Sequence, residues 1–130
     1  MSRRRTATRE RAQSTVELAL LLPVVIVLLL AVLQVGLVAR DVVLVTHASR
    51  EAVRAVAVDD AAGAARAAAL ASSGLDDHRL AVTVSGRGAP GSRVRVVVTY
   101  RSVTKVPIVG ALLGDHIVRS TATMRVEGPG

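Results

Sequence analysis

LALLLPVVIVLLLAVLQVGLVA, running from Leu18 to Ala39, is a stretch of 22 residues without a charge. As an α-helix rising about 1.5 Å per residue it extends roughly 33 Å, enough to cross the hydrocarbon core of a bilayer. Its only interruptions are Pro23, Gln34 and Gly36. Pro23 predicts a kink in the first turns, and neither of the others blocks insertion. A fully buried helix of a soluble domain would need surroundings that no other segment of this chain supplies. A secretory signal peptide shares the basic start, but its apolar region is usually about 7–15 residues. Here Leu37-Val38-Ala39 also makes a weak cleavage site, with a bulky residue two before the last. The run reads as a membrane anchor.

Charge on either side of the run orients it. Arg3, Arg4, Arg5, Arg9 and Arg11 precede it against Glu10 alone, a net of +4 out of the chain's +7. Arg40, Arg50 and Arg54 follow, and Asp41 cancels the first of them locally. The positive-inside rule places the N-terminus in the cytoplasm and the C-terminal part outside the cell membrane, crossed once. The rest of the composition narrows the class further. Of 130 residues 51% are hydrophobic, yet Tyr100 is the only aromatic. That is a thin core for a soluble globule, while a charged fraction of 21% is too low for a disordered chain. Without cysteine there are no disulfides, thiol nucleophiles or Cys-ligated metals.

Beyond the run, DVVLVTHASREAVRAVAV (residues 41–58) keeps a helical period. Val42, Val45, Ala48, Ala52, Ala55 and Val56 recur at spacings of three and four. This predicts one stem of about 40 residues and about 60 Å, with Gly36 its weakest point. Glu51 and Arg54 are spaced to interact across one turn. In DDAAGAARAAALASS (59–73) an Asp59 or Asp60 cap predicts a second, Ala-rich helix that would include Gly63 and stop at Gly74. Three strands follow by alternation. Leu80, Val82 and Val84 share one face, as do Val94, Val96, Val98 and Tyr100, and then Val118, Ser120, Ala122, Met124 and Val126. Residues 86–92 form the turn between the first two. The apolar stretch Val106-Pro107-Ile108-Val109-Gly110-Ala111-Leu112-Leu113-Gly114, between the last two, predicts a short helix or loop folding over the sheet, touching a membrane surface or a partner.

The expected fold is α+β: a long N-terminal transmembrane helix extending into a small extracytoplasmic domain with a short helix and a three-stranded antiparallel sheet. Its parts are a basic cytoplasmic leader (1–12), the membrane-spanning and extended helix (13–58, apolar core 18–39) and the outer domain (59–130). Chemistry is hard to find in it. His47, His78 and His116 stand apart from any known metal or catalytic spacing, and Asp76-Asp77-His78 reads as a polar turn. No catalytic residue, metal ligand or cofactor is assigned, and the chain is read as a non-enzyme. Arg93, Arg95, Arg101, Arg119 and Arg125 fall on the outer sheet face. They read first as a solvated face and second as a contact for anionic lipid, polymer or an acidic partner. Nucleic-acid binding is not expected, since no aromatics interleave to stack bases.

The membrane border carries the most specific pattern, Arg11-Ala12-Gln13-Ser14-Thr15-Val16-Glu17 leading into Leu21-Leu22-Pro23. By itself it reads as a capping box, with Ser14 as N-cap and Glu17 at N3. It also resembles the start of the TadE-like family, minor pilin-like proteins of tight-adherence (Flp-type) pilus systems. A second likeness is Thr46-His47-Ala48-Ser49-Arg50-Glu51-Ala52-Val53-Arg54, similar to that family's AAREAAR segment. The resemblance implies cleavage by a prepilin peptidase between Ala12 and Gln13, with Ala12 in the place where the family often has Gly. Glu17 would then be the fifth residue of the mature chain and an assembly residue, paired with a free amine. The implied partners are the peptidase, other pilin-like subunits, pilus-assembly membrane proteins and the lipid bilayer. The implied role is assembly or anchoring of the pilus or a related secretion apparatus. The alternative is a single-pass anchored envelope protein whose outer strands bind a partner or an anionic polymer.

Overall fold

A computed structural model describes residues 3–127, except Ala62, Val109, Leu112 and Leu113. One helix, α1, runs from Arg3 to Val58 without a break, 56 residues and about 84 Å long. It passes through Ser14, Glu17, Pro23 and Gly36. The capping-box reading is therefore overturned, because Ser14 lies more than two turns inside the helix and has no helix start to cap. Gly36 is not a break either, since the backbone around it stays helical. An 18-residue window within Thr15–Val58 reaches a mean hydropathy of 3.0, with none of it buried. The helix is long and apolar enough to cross a membrane. Its side chains there face outward, Leu20 with 71% of its surface free. Water would be a costly solvent for such a face, and lipid is a fitting one.

From Leu44 onward the same helix becomes the backbone of a small α+β unit. It is followed by α2 (Ala64–Ser73), a 3-10 turn at Asp77–Arg79, β1 (Leu80–Ser85), β2 (Arg93–Ser102) and β3 (His116–Arg125). The strands form one antiparallel sheet in the order β1-β2-β3, with Leu80 opposite Tyr100 and Tyr100 opposite Val118. The alternation read from the sequence holds in β2 and β3 and in the first half of β1, where Leu80 is buried and Val82 half-buried, but Val84 is exposed. In β2, Val94, Val96, Val98 and Tyr100 are buried between exposed Arg93, Arg95 and Arg101. The valines meet α1, whose buried residues from Leu44 onward are Val45, Ala48, Ser49, Ala52, Val53, Val56 and Ala57. This corrects the expected stripe: Val42 is exposed, and Ser49, Val53 and Ala57 join the contact. The helix is rotated so that its small side chains face the sheet, which brings the two layers close and substitutes proximity for aromatic bulk.

The second helix starts later than Asp59 or Asp60 predicts. Its first residue is Ala64, preceded by Gly63 at φ 91°, a left-handed conformation that glycine adopts at no steric cost. Asp59 instead folds back on the chain, its carboxylate accepting from the Ala61 N–H at 2.9 Å. Gly74 does end α2, its N–H bonding Leu70 O at 3.1 Å. The buried face of α2 is Ala65, Ala69 and Ser73, packed on α1.

The end of α1 is closed by residues distant in sequence. A helix leaves its last carbonyls without internal partners. Arg87, from the β1–β2 turn, donates from Nε to Val56 O at 2.9 Å and lies 3.5 Å from the Asp60 carboxylate. The Glu127 N–H donates to Ala57 O at 3.1 Å. No basic residue sits in the helix's own last turn, so Arg87 also supplies the cation that the helix dipole favours there.

Nearer the membrane run, two polar contacts fasten the β2–β3 side of the unit to α1. Ser102 donates to the Asp41 carboxylate at 2.5 Å. Gln34, only 3% exposed, donates from Nε2 to Thr104 Oγ1 at 3.5 Å, while its Oε1 is buried without a partner. Thr104, just after β2, thus lies beside α1 beyond the end of the sheet. Glu51 and Arg54 form no ion pair among the described residues, and Arg54 is exposed.

Two stability outcomes follow from this packing. Ala52→Leu would force the helix off the valines and cost about 1–3 kcal/mol, whereas Val42→Ala on the open face would stay within about 0.5 kcal/mol. Both are read by thermal unfolding in detergent, followed by circular dichroism. Gln34→Met removes the unpartnered acceptor at similar volume and leaves the midpoint unchanged or raised. Thr104→Val strips a donor and an acceptor from the same junction and lowers stability by about 1 kcal/mol.

Candidate functional site: the membrane helix and its junction

The residues that the sequence singles out lie at two levels of α1. Gln13, Thr15, Val16 and Glu17 sit at the lower level, all exposed. The side chains of Ala12 and Ser14 lie outside the described residues. Gln13 and Glu17 are four apart, one turn of helix, so they occupy neighbouring positions on one face. No ion pair reaches Glu17 among the described residues. Immediately above it the face turns aliphatic, with Leu18, Leu20, Leu21 and Leu22 exposed. A carboxylate at that border belongs at the polar interface or beside a positive partner, because hydrocarbon would not solvate it.

The upper level is the segment 46–54, where the second likeness falls. Its side chains divide by role. Thr46 returns its hydroxyl proton to Val42 O at 2.8 Å, so it is satisfied inside the helix. Ser49 donates to Thr46 O at 2.9 Å and lies 2.9 Å from the Ser120 hydroxyl, a polar rivet between helix and sheet. Ala48 and Ala52 are fully buried against the sheet. His47, Arg50 and Arg54 are exposed, and the two arginines border a shallow cleft between α1 and β3. The small residues of the motif therefore have a packing reason, and its charged residues form an open face.

The polar turn before β1 is built by side chains. Asp76 accepts from the His78 N–H at 3.0 Å, and Arg66 of α2 reaches the Asp77 carboxylate at 2.6 Å and Leu80 O at 2.9 Å. These contacts hold α2 to the start of the sheet. Among the described residues no group of three or more His, Asp or Glu gathers at metal-binding range. His78 and His116 are engaged locally, His116 through Nδ1 at 3.2 Å from Gly114 O.

The outer sheet face carries Arg93 directly opposite Arg125, and Arg119 opposite Thr99. None of the five arginines on this face is ion-paired among the described residues. Like charges face to face weaken a sheet slightly and are tolerable where water screens them. Sequence reasoning found these residues by alternation. It missed the junction formed by Gln34, Asp41, Ser102 and Thr104. The only signal for that junction was a lone polar residue inside an otherwise aliphatic run.

The helix combines an exposed aliphatic span with a carboxylate at one end and a packed domain at the other. No characterised protein and no solved structure matches the chain. A family model does, and it covers the two levels of α1 just described. Residues 12–54 match the TadE-like protein family, so the chain carries a TadE-like segment that begins at the membrane border and ends within the helix–sheet contact.

Proposed function

We propose that this protein is a pilin-like membrane subunit that contributes to assembly or anchoring of a tight-adherence pilus or a related secretion apparatus. The observation that carries the reading is the coincidence of the TadE-like segment 12–54 with one uninterrupted helix. That helix presents an aliphatic surface over its first half and a packed domain over its second. Such a helix is suited to lateral association within a membrane, where apolar surfaces and small residues pack and a polar group selects its neighbour.

In this reading α1 crosses the membrane with its N-terminus in the cytoplasm. A prepilin peptidase cuts between Ala12 and Gln13. The helix runs through that peptide bond, so its first turns must unwind locally to enter a peptidase, as helix ends do at low cost. The new amine at Gln13 would lie one turn from Glu17 of the same chain, about 6 Å along the axis. Glu17 would therefore have two candidate cations, its own terminus and that of a neighbouring subunit. In a low-dielectric setting an unpaired carboxylate is strongly disfavoured, and this makes the pair a device for registering subunits.

Two measurements test the proposal. Mass spectrometry of the N-terminal peptide from the membrane fraction should find Gln13, free or cyclised to pyroglutamate. An intact leader in the presence of active peptidase would instead make residues 12–17 an uncleaved anchor. Glu17→Gln should leave insertion and abundance unchanged while piliation falls steeply. Normal piliation would favour the anchored binding protein, whose outer sheet face does the work.

A further inference from the structure

In the connection between β2 and β3, the described residues (103–108, 110, 111, 114 and 115) are not absorbed by the main core or by the pilus reading, and they make bonds of their own. Thr104 Oγ1 donates to Gly114 O at 2.5 Å, closing the neck. Gly110 N–H bonds Val106 O at 3.0 Å, and Gly114 N–H bonds Gly110 O at 3.1 Å. Gly110 is pressed so close to the neck that an added Cβ would stand 3.1 Å from Thr104 O. Val106 is buried, yet it lies outside the main core cluster.

The tip behaves differently. Pro107 and Ile108 are exposed, Ile108 by 57%, and Ile108 is held at φ 70°. A β-branched residue in the left-handed region is strained, and such strain persists only where the surroundings impose it. Here the strained residue is also aliphatic and turned outward. In water both choices are unfavourable.

The level of the loop along α1 resolves this. Ser102 meets Asp41 at the end of the sheet, but Thr104 reaches Gln34, seven residues earlier on the helix and about 10 Å back along its axis. Gln34 lies inside the uncharged run, five residues before its end at Ala39. About 20 residues span the hydrocarbon, so counting from Leu18 puts Gln34 near the outer edge of that layer. Thr104, at the neck of the loop, therefore sits beside the helix at the depth of the membrane interface. Exposed Arg40 and Lys105 flank it.

We infer that this loop is a membrane-seated wedge: Pro107 and Ile108 enter the boundary between headgroups and acyl chains, and Arg40 and Lys105 meet lipid phosphates. The inference rests on the reading of α1 as a membrane span. The occupant is lipid because the anchor itself holds the neck of the loop at lipid depth, and the exposed tip is apolar with Arg40 and Lys105 lining one cleft near that neck. The wedge also shields the Gln34 amide, which would otherwise face acyl chains. With a second point of contact, the domain stands at a fixed tilt on the membrane instead of swinging about its anchor.

The chain has no cysteine, so single reporters can be placed without background. Spin labels at Ile108→Cys, Pro107→Cys, Val27→Cys and Ala89→Cys would be read in the full chain, reconstituted at low density in phosphatidylcholine–phosphatidylglycerol vesicles. Accessibility to oxygen, which partitions into lipid, is compared with accessibility to a water-soluble nickel chelate. Positions 27, 107 and 108 should favour oxygen, and 89 should favour nickel. If 107 and 108 behave like 89 while 27 stays in lipid, the wedge is wrong and the span stands. If 27 also favours nickel, the span itself fails and the wedge with it. Dipolar broadening at 107 and 108 that vanishes on dilution with unlabelled protein would mean that a second copy covers the loop, which overturns the lipid assignment.

Discussion

The contact between the small-residue strip of α1 and the valines of β2 is what the rest of the molecule leans on. Val94, Val96 and Val98 have no exposed surface, and neither do Ala48 and Ala52 opposite them. With Tyr100 as the only aromatic, the core has little volume to offer and depends on layers that lie close. Alanine on the helix and valine on the sheet achieve this. The same helix carries the apolar run that is long enough to cross a membrane, so the domain has no core apart from it.

Polar contacts set the register of that packing. Asp41 meets Ser102, which pairs with His116 at the start of β3, and eight residues further along the helix Ser49 meets Ser120. Eight helical residues rise about 12 Å and four strand residues about 13 Å, so the two elements keep pace over this interval. Still further along, the Glu127 N–H closes Ala57 O, and Arg87 closes Val56 O. A slide of one helical turn would break several of these contacts at once. Apolar packing alone would resist such a slide less, because alanine and valine look alike from turn to turn.

Much of this was legible from residue order. Alternation marked the three strands and, apart from exposed Val84 in β1, their inner faces, and Gly74 marked the end of α2. Helix boundaries were less legible. Ser14 and Glu17 have the composition of a cap but lie within α1, and Asp59 has the composition of a cap but closes a local turn. Caps are recognised by short polar side chains, and those side chains serve equally well elsewhere. On α1 the buried strip was shifted, because a helix that is apolar nearly all round has no single preferred face until a sheet is laid against it. For the candidate site, the border motif was readable only through its likeness to a family. No local geometry distinguishes Ala12 and Gln13 from other early helical positions.

The uncharged run of 22 residues and the two-residue period of the strands specified an anchor and a one-sided sheet without any structure, because both depend on neighbours along the chain. Three features were decided by tertiary structure: which side of α1 is buried, what closes its last turn, and where Thr104 lies. Each depends on a partner distant in sequence, such as Gln34 and Thr104, which are 70 residues apart. Lone polar residues like these acquire a role only when folding brings the second member of the pair within reach.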